Sequence, residues 1–302
     1  MGSLSVCICA FNAELHIRKV INQIIEQDCD ELLELIIIDD GSTDLTHSIC
    51  YEIAKKFKKI KLIHQNNKGL GGARNTAIRN CSGKYISFID SDDEIVSDYM
   101  SLLSKHMKNK YDIIVFDYYI KNNKSVKKAS SNIRSAPVPS CMWSIEYLIS
   151  NNFTFVEHSY YEDNAISYFL FHKTDNILKV NKESFYYVYN ENSITNKKSR
   201  KVVDGRIKSS QEFMRNCEKF NIFNDECLIN LVSWYETAIS QTFYGFGSYS
   251  LLKEVIFEFN KMHNGIDKRV NSKTKKILFL VNNLGFFGYS LVLLTKISKK
   301  FK

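Results

Sequence analysis

From Leu4 to Tyr119, short apolar runs alternate with segments of helical periodicity, and two of the runs end in acidic clusters. Leu4–Phe11, Leu35–Ile38, Ile60–His64, Tyr85–Ile89 and Asp112–Tyr119 have strand length. Leu15–Ile25 carries Leu15, Val20, Ile21, Ile24 and Ile25 at helical spacing, and helix-like stretches follow up to about Phe57, over Ala73–Asn80 and over Ser97–Met107. Strands alternating with helices predict βαβ units and a mainly parallel sheet. In such sheets ligands sit outside the carboxyl ends of the strands, which is where Asp39-Asp40 and Asp90-Ser91-Asp92-Asp93 fall.

Beyond this alternation, Lys121–Ser140 is polar, holds both prolines and reads as a loop. Met142–Ser150 and Asp163–Phe171 look helical, Ile177–Val180 and Ser184–Tyr189 extended. After Lys197 the pattern is helical, over about Asp204–Phe220, Glu226–Phe246 and Ser250–His263. With 302 residues, this predicts a nucleotide-binding and catalytic domain over 1–200 and a helical region over 201–302.

Eight cysteines are scattered without a C-x-x-C pair, and the N-terminus does not read as a signal peptide. Both point to reduced thiols in a cytoplasmic protein, and the cysteine spacing argues against structural zinc. The net charge of +8 is local: nine of the 41 Lys and Arg lie between Lys268 and Lys302, where there is no acidic residue, so 32 basic residues face 33 acidic ones elsewhere. No aromatic and Arg stripe runs through the body, which excludes nucleic acid as the expected partner. Within the tail, Ile277–Leu294 is apolar but broken by Asn282, Asn283, Gly285 and Gly288. Flanked by lysines, it suits an anionic membrane surface better than a span; a helix packed on the body is the equal alternative.

Three carboxylates in Asp90-Ser91-Asp92-Asp93 repel one another unless a cation sits between them. Mg²⁺ takes one or two carboxylates and fills its other positions with phosphate oxygens and water, so a diphosphate is the natural co-ligand. The rival reading is a helix cap by Ser91 or Asp92. Asp40 can accept a hydrogen bond from a base edge or a ribose hydroxyl, whereas Asp40-Gly41-Ser42-Thr43-Asp44 is equally a turn and helix start, capped by Ser42 or Thr43. Asn66–Gly72 reads as a Gly-rich loop ahead of the Ala73–Asn80 helix; Lys68 and Arg74 near its Gly69-Leu70-Gly71-Gly72 could meet phosphate, the glycines permitting close backbone approach. That run is neither a dinucleotide fingerprint nor a Walker A loop, so hydride transfer and P-loop hydrolysis lose support. Glu162-Asp163 opens a helix, where a carboxylate is either electrostatically favoured structure or a general base.

The ordered set is more specific than any member. Ser5-Val6-Cys7-Ile8-Cys9-Ala10-Phe11-Asn12, Asp39-Asp40-Gly41-Ser42-Thr43-Asp44, Asn67-x-Gly69-x-x-Gly72-Ala73-Arg74-Asn75, Phe88-Ile89-Asp90-Ser91-Asp92-Asp93, Glu162-Asp163 and Tyr187-x-Tyr189-x-x-x-Ser193-Ile194-Thr195 together resemble the family 2 glycosyltransferases of bacterial surface-polysaccharide type, over roughly residues 4–200. The resemblance implies a GT-A fold and an inverting transfer of a hexosyl or N-acetylhexosaminyl group from a nucleotide diphosphate donor. It places Cys9, Phe11, Asn12 and Asp40 at the nucleotide, with Asp40 accepting from the base N–H and Arg74 nearby. Asp90 and Ser91 fall on the ribose side, and Asp92 or Asp93 on an Mg²⁺ or Mn²⁺ ion. Asp163 is the implied base, with Glu162 beside it. Cys9 and Phe11 depart from the proline or threonine and the tyrosine of many members; stacking on a base survives Tyr→Phe, a hydroxyl contact does not.

An accepting Asp40 fits uracil, thymine or guanine and disfavours cytosine, and UDP-sugars dominate the resembling family. The basic tail suggests a glycan or lipid-linked acceptor at the cytoplasmic membrane face. A sugar nucleotidyltransferase is the nearest rival, but it calls for a glycine-rich basic loop where Ala10-Phe11-Asn12-Ala13-Glu14 stands. A non-catalytic membrane-surface scaffold that keeps the fold is the alternative of a different class.

Overall fold

The computed structural model describes residues 3–27, 29–108, 110–133, 136–189, 199–222, 225–242 and 249–261. The chain divides into two compact units, 1–193 and 194–302.

In the first unit, β1 (Leu4–Ala10), β2 (Leu32–Asp39), β3 (Ile60–His64) and β4 (Tyr85–Asp90) pair in parallel in the order β3-β2-β1-β4. Every residue of β1 is buried, as a central strand covered on both faces requires. The crossovers are α1 (Ile17–Ile25), α2 (Thr46–Ala54) and α3 (Gly69–Asn80). The first of these buries Ile17, Val20, Ile21 and Ile24 against the sheet. Val20, Ile21 and Ile24 belong to the stripe expected from the sequence, whereas Leu15 lies ahead of the helix and is exposed, and Ile17 takes its place on the buried face. Register then does the positioning: Ala10 lies beside Asp39, Cys9 beside Asp90, and Asp39 beside His64. The acidic strand ends therefore share one edge.

The remainder of the sheet is mixed. Strand β5 (Glu94–Ile95) follows the acidic run, then come α4 (Tyr99–His106), β6 (Ile113–Lys121), β7 (Val126–Ala129), β8 (Cys141–Ser144), α5 (Ile145–Ser150), α6 (Asn164–Lys173) and β9 (Ile177–Val188). The order continues from β4 through β8, β6 and β9 to β5, with β7 paired to β6. Three local expectations change. Residues 141–144 form a strand wedged antiparallel between β4 and β6 rather than the start of a helix, because both of its neighbours offer open backbone edges. Lys121–Ser140 contains β7, which folds back on β6, so it is not only a loop. The glycine run 69–72 forms the first turn of α3, with Gly69 at φ +75° leading in, rather than a loop ahead of it.

The second unit contains α7 (Arg200–Lys219), α8 (Asp225–Gln241) and α9 (Tyr249–Lys261). Phe213 packs edge-on to Trp234 with ring centroids 5.4 Å apart, and Arg200 pairs with Glu254 at 2.9 Å. Among the described residues no helix is long and apolar enough to cross a membrane. The tail 268–302 and Ser193-Ile194-Thr195 lie outside the described residues.

Candidate active site

Two loops at the sheet edge are laced by short polar side chains. Asn12, at φ +50°, accepts at its Oδ1 from the Thr43 N–H at 2.8 Å, and its own N–H donates to Ser42 Oγ at 3.0 Å. The Ala13 N–H donates to Thr46 Oγ1, the Glu14 N–H to Asp44 Oδ2, and the Leu45 N–H to Glu14 Oε2. Ser42 and Thr43 therefore do not cap α2 as expected. Asp44 accepts the Thr46 N–H at 3.0 Å instead, because Asn12 has taken both hydroxyl residues. Gly41 sits at φ +75°, and a Cβ there would lie 2.9 Å from the Asn67 nitrogen.

This lacing frames Cys9, Phe11 and Asp40. Phe11 is half-exposed, whereas Cys9 and Asp40 are buried. Asp40 Oδ1 accepts from Gln65 Nε2 at 2.6 Å and from the Lys68 N–H at 2.9 Å, which orients the carboxylate. Gln65 is in turn held by Thr76 Oγ1, which donates to its Oε1 at 2.6 Å.

The run Asp90-Ser91-Asp92-Asp93 forms a turn between β4 and β5, closed by the Asp93 N–H on the Asp90 carbonyl. No helix starts there, which removes the capping explanation for these acids. Asp93 is 5% exposed; its Oδ1 accepts the Val188 N–H at 2.9 Å, and its Oδ2 has no hydrogen-bond partner among the described residues. Burial first, then the Asp90 charge, pushes the Asp93 carboxyl well above the usual carboxylate range. The same two causes raise Asp92, although this residue is itself exposed to solvent. A buried carboxylate with an orphaned oxygen, next to two like charges, fits a hard divalent cation with oxygen ligands.

Arg74 joins this edge to the Glu-Asp pair. Its guanidinium, 2% exposed, donates from Nη2 to Asp90 Oδ1 at 3.0 Å and from Nη1 to Glu162 Oε1 at 2.8 Å. Phe155 and Phe88 face it at 5.4 and 6.0 Å from their ring centroids. Burial, followed by the Asp163 charge, pushes the Glu162 carboxyl up to about 7, with Arg74 pulling the other way. Asp163 occupies the N-cap position of α6 without a side-chain cap bond, next to buried Glu162. It also adds to the field that holds Arg74 charged. The structure thus brings Asp90, Arg74, Glu162 and Asp163 together and leaves the Arg74 charge matched by carboxylates.

Sequence reasoning missed what holds this arrangement. Asn75 donates from Nδ2 to the Phe155 carbonyl at 2.9 Å and accepts the Phe155 N–H at 2.7 Å, pinning the segment that leads to Glu162. The His158 N–H donates to the Lys68 carbonyl at 2.8 Å. His158 itself is exposed, in keeping with the packing or surface role expected of it. Asn75 was visible beside Arg74, but nothing in the sequence pointed to its partner 80 residues away.

This edge, a nucleotide-type sheet with carboxylates converging on one arginine, defines a class. The glycosyl transferase family 2 model matches residues 5–172, and the chain belongs to that family. Among relatives, glycosyltransferase GlyA of Streptococcus pneumoniae serotype 4 is 39% identical over 117 residues, which cover 38% of this chain and 17% of GlyA. The chain therefore matches under a fifth of that protein's length. The S. aureus TarS fragment 1–349 in complex with UDP-GlcNAc superposes with a TM-score of 0.71 at 18% identity, covering 95% of this chain and 89% of TarS 1–349. A mannosyltransferase from Pyrobaculum calidifontis in complex with GDP-Man and Mn²⁺ superposes at 0.53 and 14% identity, covering 87% and 76%. At these identities the two structures establish the shared GT-A fold.

Proposed function

We propose that this chain is an inverting glycosyltransferase that moves a hexosyl or N-acetylhexosaminyl group from a UDP-sugar to a hydroxyl of a glycan or lipid-linked acceptor. The observation that carries the reading is the Arg74 clamp, which ties Asp90 at the end of β4 to Glu162 of the Glu-Asp pair through one buried guanidinium. A donor-side carboxylate and the neighbour of the proposed base are thereby held at fixed separation, as in-line displacement requires.

In this reading Phe11 stacks on the base and Asp40, oriented by Gln65 and the Lys68 N–H, accepts the base N–H. Asp90 and Ser91 face the ribose. Asp92 and Asp93 would hold Mg²⁺ or Mn²⁺, which when bound neutralises charge on the leaving diphosphate. Asp163 takes the acceptor hydroxyl proton as the new bond to the anomeric carbon forms. The bond to the phosphate oxygen breaks, and its electron pair leaves with the nucleoside diphosphate. Glu162 and Arg74 position that base. The UDP-GlcNAc bound to TarS supports a UDP-sugar, and the Mn²⁺ in the mannosyltransferase complex supports a metal. The domain limits proposed are 1–200 for catalysis and 201–302 for the helical region. The 268–302 tail is proposed to lie on the cytoplasmic membrane face.

Calorimetric titration with UDP, GDP, dTDP and CDP, each with Mn²⁺ and with EDTA, tests the donor. Binding of UDP that needs the metal is the expected result; binding of none by folded protein would favour a scaffold that keeps the fold. Asp163→Asn should keep UDP affinity and lower kcat roughly 10²- to 10⁴-fold. Near-normal turnover would move the base elsewhere.

A further inference from the structure

On the far side of β2 from Asp40, a second set of ligand-type side chains converges. Asp39 is fully buried at the end of β2, His64 ends the adjacent β3, and His47 lies one residue into α2. His64 Nδ1 lies 2.8 Å and His47 Nδ1 2.9 Å from the same oxygen, Asp39 Oδ2. These three atoms all lie within 4.8 Å of one another. The other oxygen, Oδ1, is held by the Ser42 N–H at 3.1 Å, so the carboxylate is oriented with Oδ2 toward the imidazoles. The rings meet edge to face with centroids 4.9 Å apart, and their side chains are 44% and 53% exposed. Both rings are aimed at one carboxylate oxygen while their outer faces stay open to water, so an ion could reach all three atoms from solvent.

We infer that Asp39, His47 and His64 form a binding site for Zn²⁺ or another imidazole-preferring divalent metal, separate from the hard-cation carboxylates at Asp92 and Asp93. Two imidazole nitrogens and one carboxylate oxygen are the donor set of three-ligand zinc sites, with water completing the tetrahedron. Zinc bonds of about 2.0–2.2 Å place tetrahedral ligands about 3.4 Å apart. The present 2.8 and 2.9 Å separations therefore need to open by only about half an ångström. Each neutral ring binds through Nδ1 once its proton sits on Nε2. The Ser42 N–H supplies the outer hydrogen bond that metal-ligating carboxylates receive. No cysteine takes part, so cysteine spacing carries no sign of the site. Asp39 and His64 immediately precede Asp40 and Gln65, whose side chains bond each other at 2.6 Å. A metal here clips together the two segments that frame the donor-base pocket.

The test is calorimetric titration of the full chain with Zn²⁺ alone, without nucleotide. One equivalent should bind, and His47→Ala and His64→Ala should each weaken it by at least about 100-fold. In the unaltered protein, histidine-selective NMR should show two of the seven histidines shifting on Zn²⁺ addition. This reading does not depend on the histidine variants folding. No saturable Zn²⁺ uptake, uptake unaffected by both variants, or histidine signals that stay in place would overturn the assignment, leaving a hydrogen-bonded His-Asp-His trio. The outcome is independent of whether UDP binds.

Discussion

Arg74 carries more of the site than any other residue, because its charge is buried between two acids with little water to screen it. Removing one partner of a buried pair leaves an uncompensated charge and costs about 3–5 kcal/mol. Arg74→Met should therefore unfold at markedly lower denaturant, and unaltered stability would mean that the clamp is only lightly coupled to the fold. The pH behaviour is specific to Glu162. Its carboxyl is raised from 4.5 to about 7 by burial and by Asp163, so the folded chain holds that proton more tightly than the unfolded chain. Its contribution to stability is fully present below about pH 4.5 and is lost as pH rises through about 7. Denaturation midpoints should fall across that window, and Glu162→Gln, which cannot ionise, should give a shallower slope. Equal slopes would place the titration elsewhere.

At the scale of elements, α3 explains why the glycines stand where they do. A Cβ on Gly71 would lie 2.4 Å from the Val156 carbonyl oxygen and 3.0 Å from Glu162 Cβ, so the helix touches the Glu162 segment through bare backbone. Gly71→Ala must push that segment away, and overpacking of this kind costs about 1–3 kcal/mol. Because the displaced segment carries Glu162 and Asp163, kcat should fall more than the affinity for UDP. If both stay within twofold, the Glu-Asp pair moves independently of α3. The sequence read these glycines as a phosphate-approach loop, a reasonable use of the residue type, but the close approach is made by the protein's own chain. The helix start at Gly69 was hidden because glycine has poor helix propensity and tertiary contact overrides it.

For the whole molecule, the open expectation is the basic apolar tail. Its nine Lys and Arg without a single acid would be attracted to an anionic surface. Deleting Lys268–Lys302 should move the protein from membrane to soluble fractions while UDP binding persists. An unchanged distribution would remove the support for membrane contact.

Hydrophobic periodicity and the acidic strand ends determined the alternating α/β order and the sheet edge at which the acidic runs gather, because period and strand length are local properties; the candidate site residues came from the ordered motifs. Ile60–His64 appears with its expected limits, and the crossover helices fall within a few residues of theirs. What only the tertiary structure decided depends on partners distant in sequence. Insertion of β8 between β4 and β6, the Arg74 bonds that reach 16 residues to Asp90 and 88 to Glu162, and the meeting of Asp39, His47 and His64 all arise when separate strands come into register. A single side chain does not announce its partner, and its burial, charge state and chemistry follow from what the fold brings beside it.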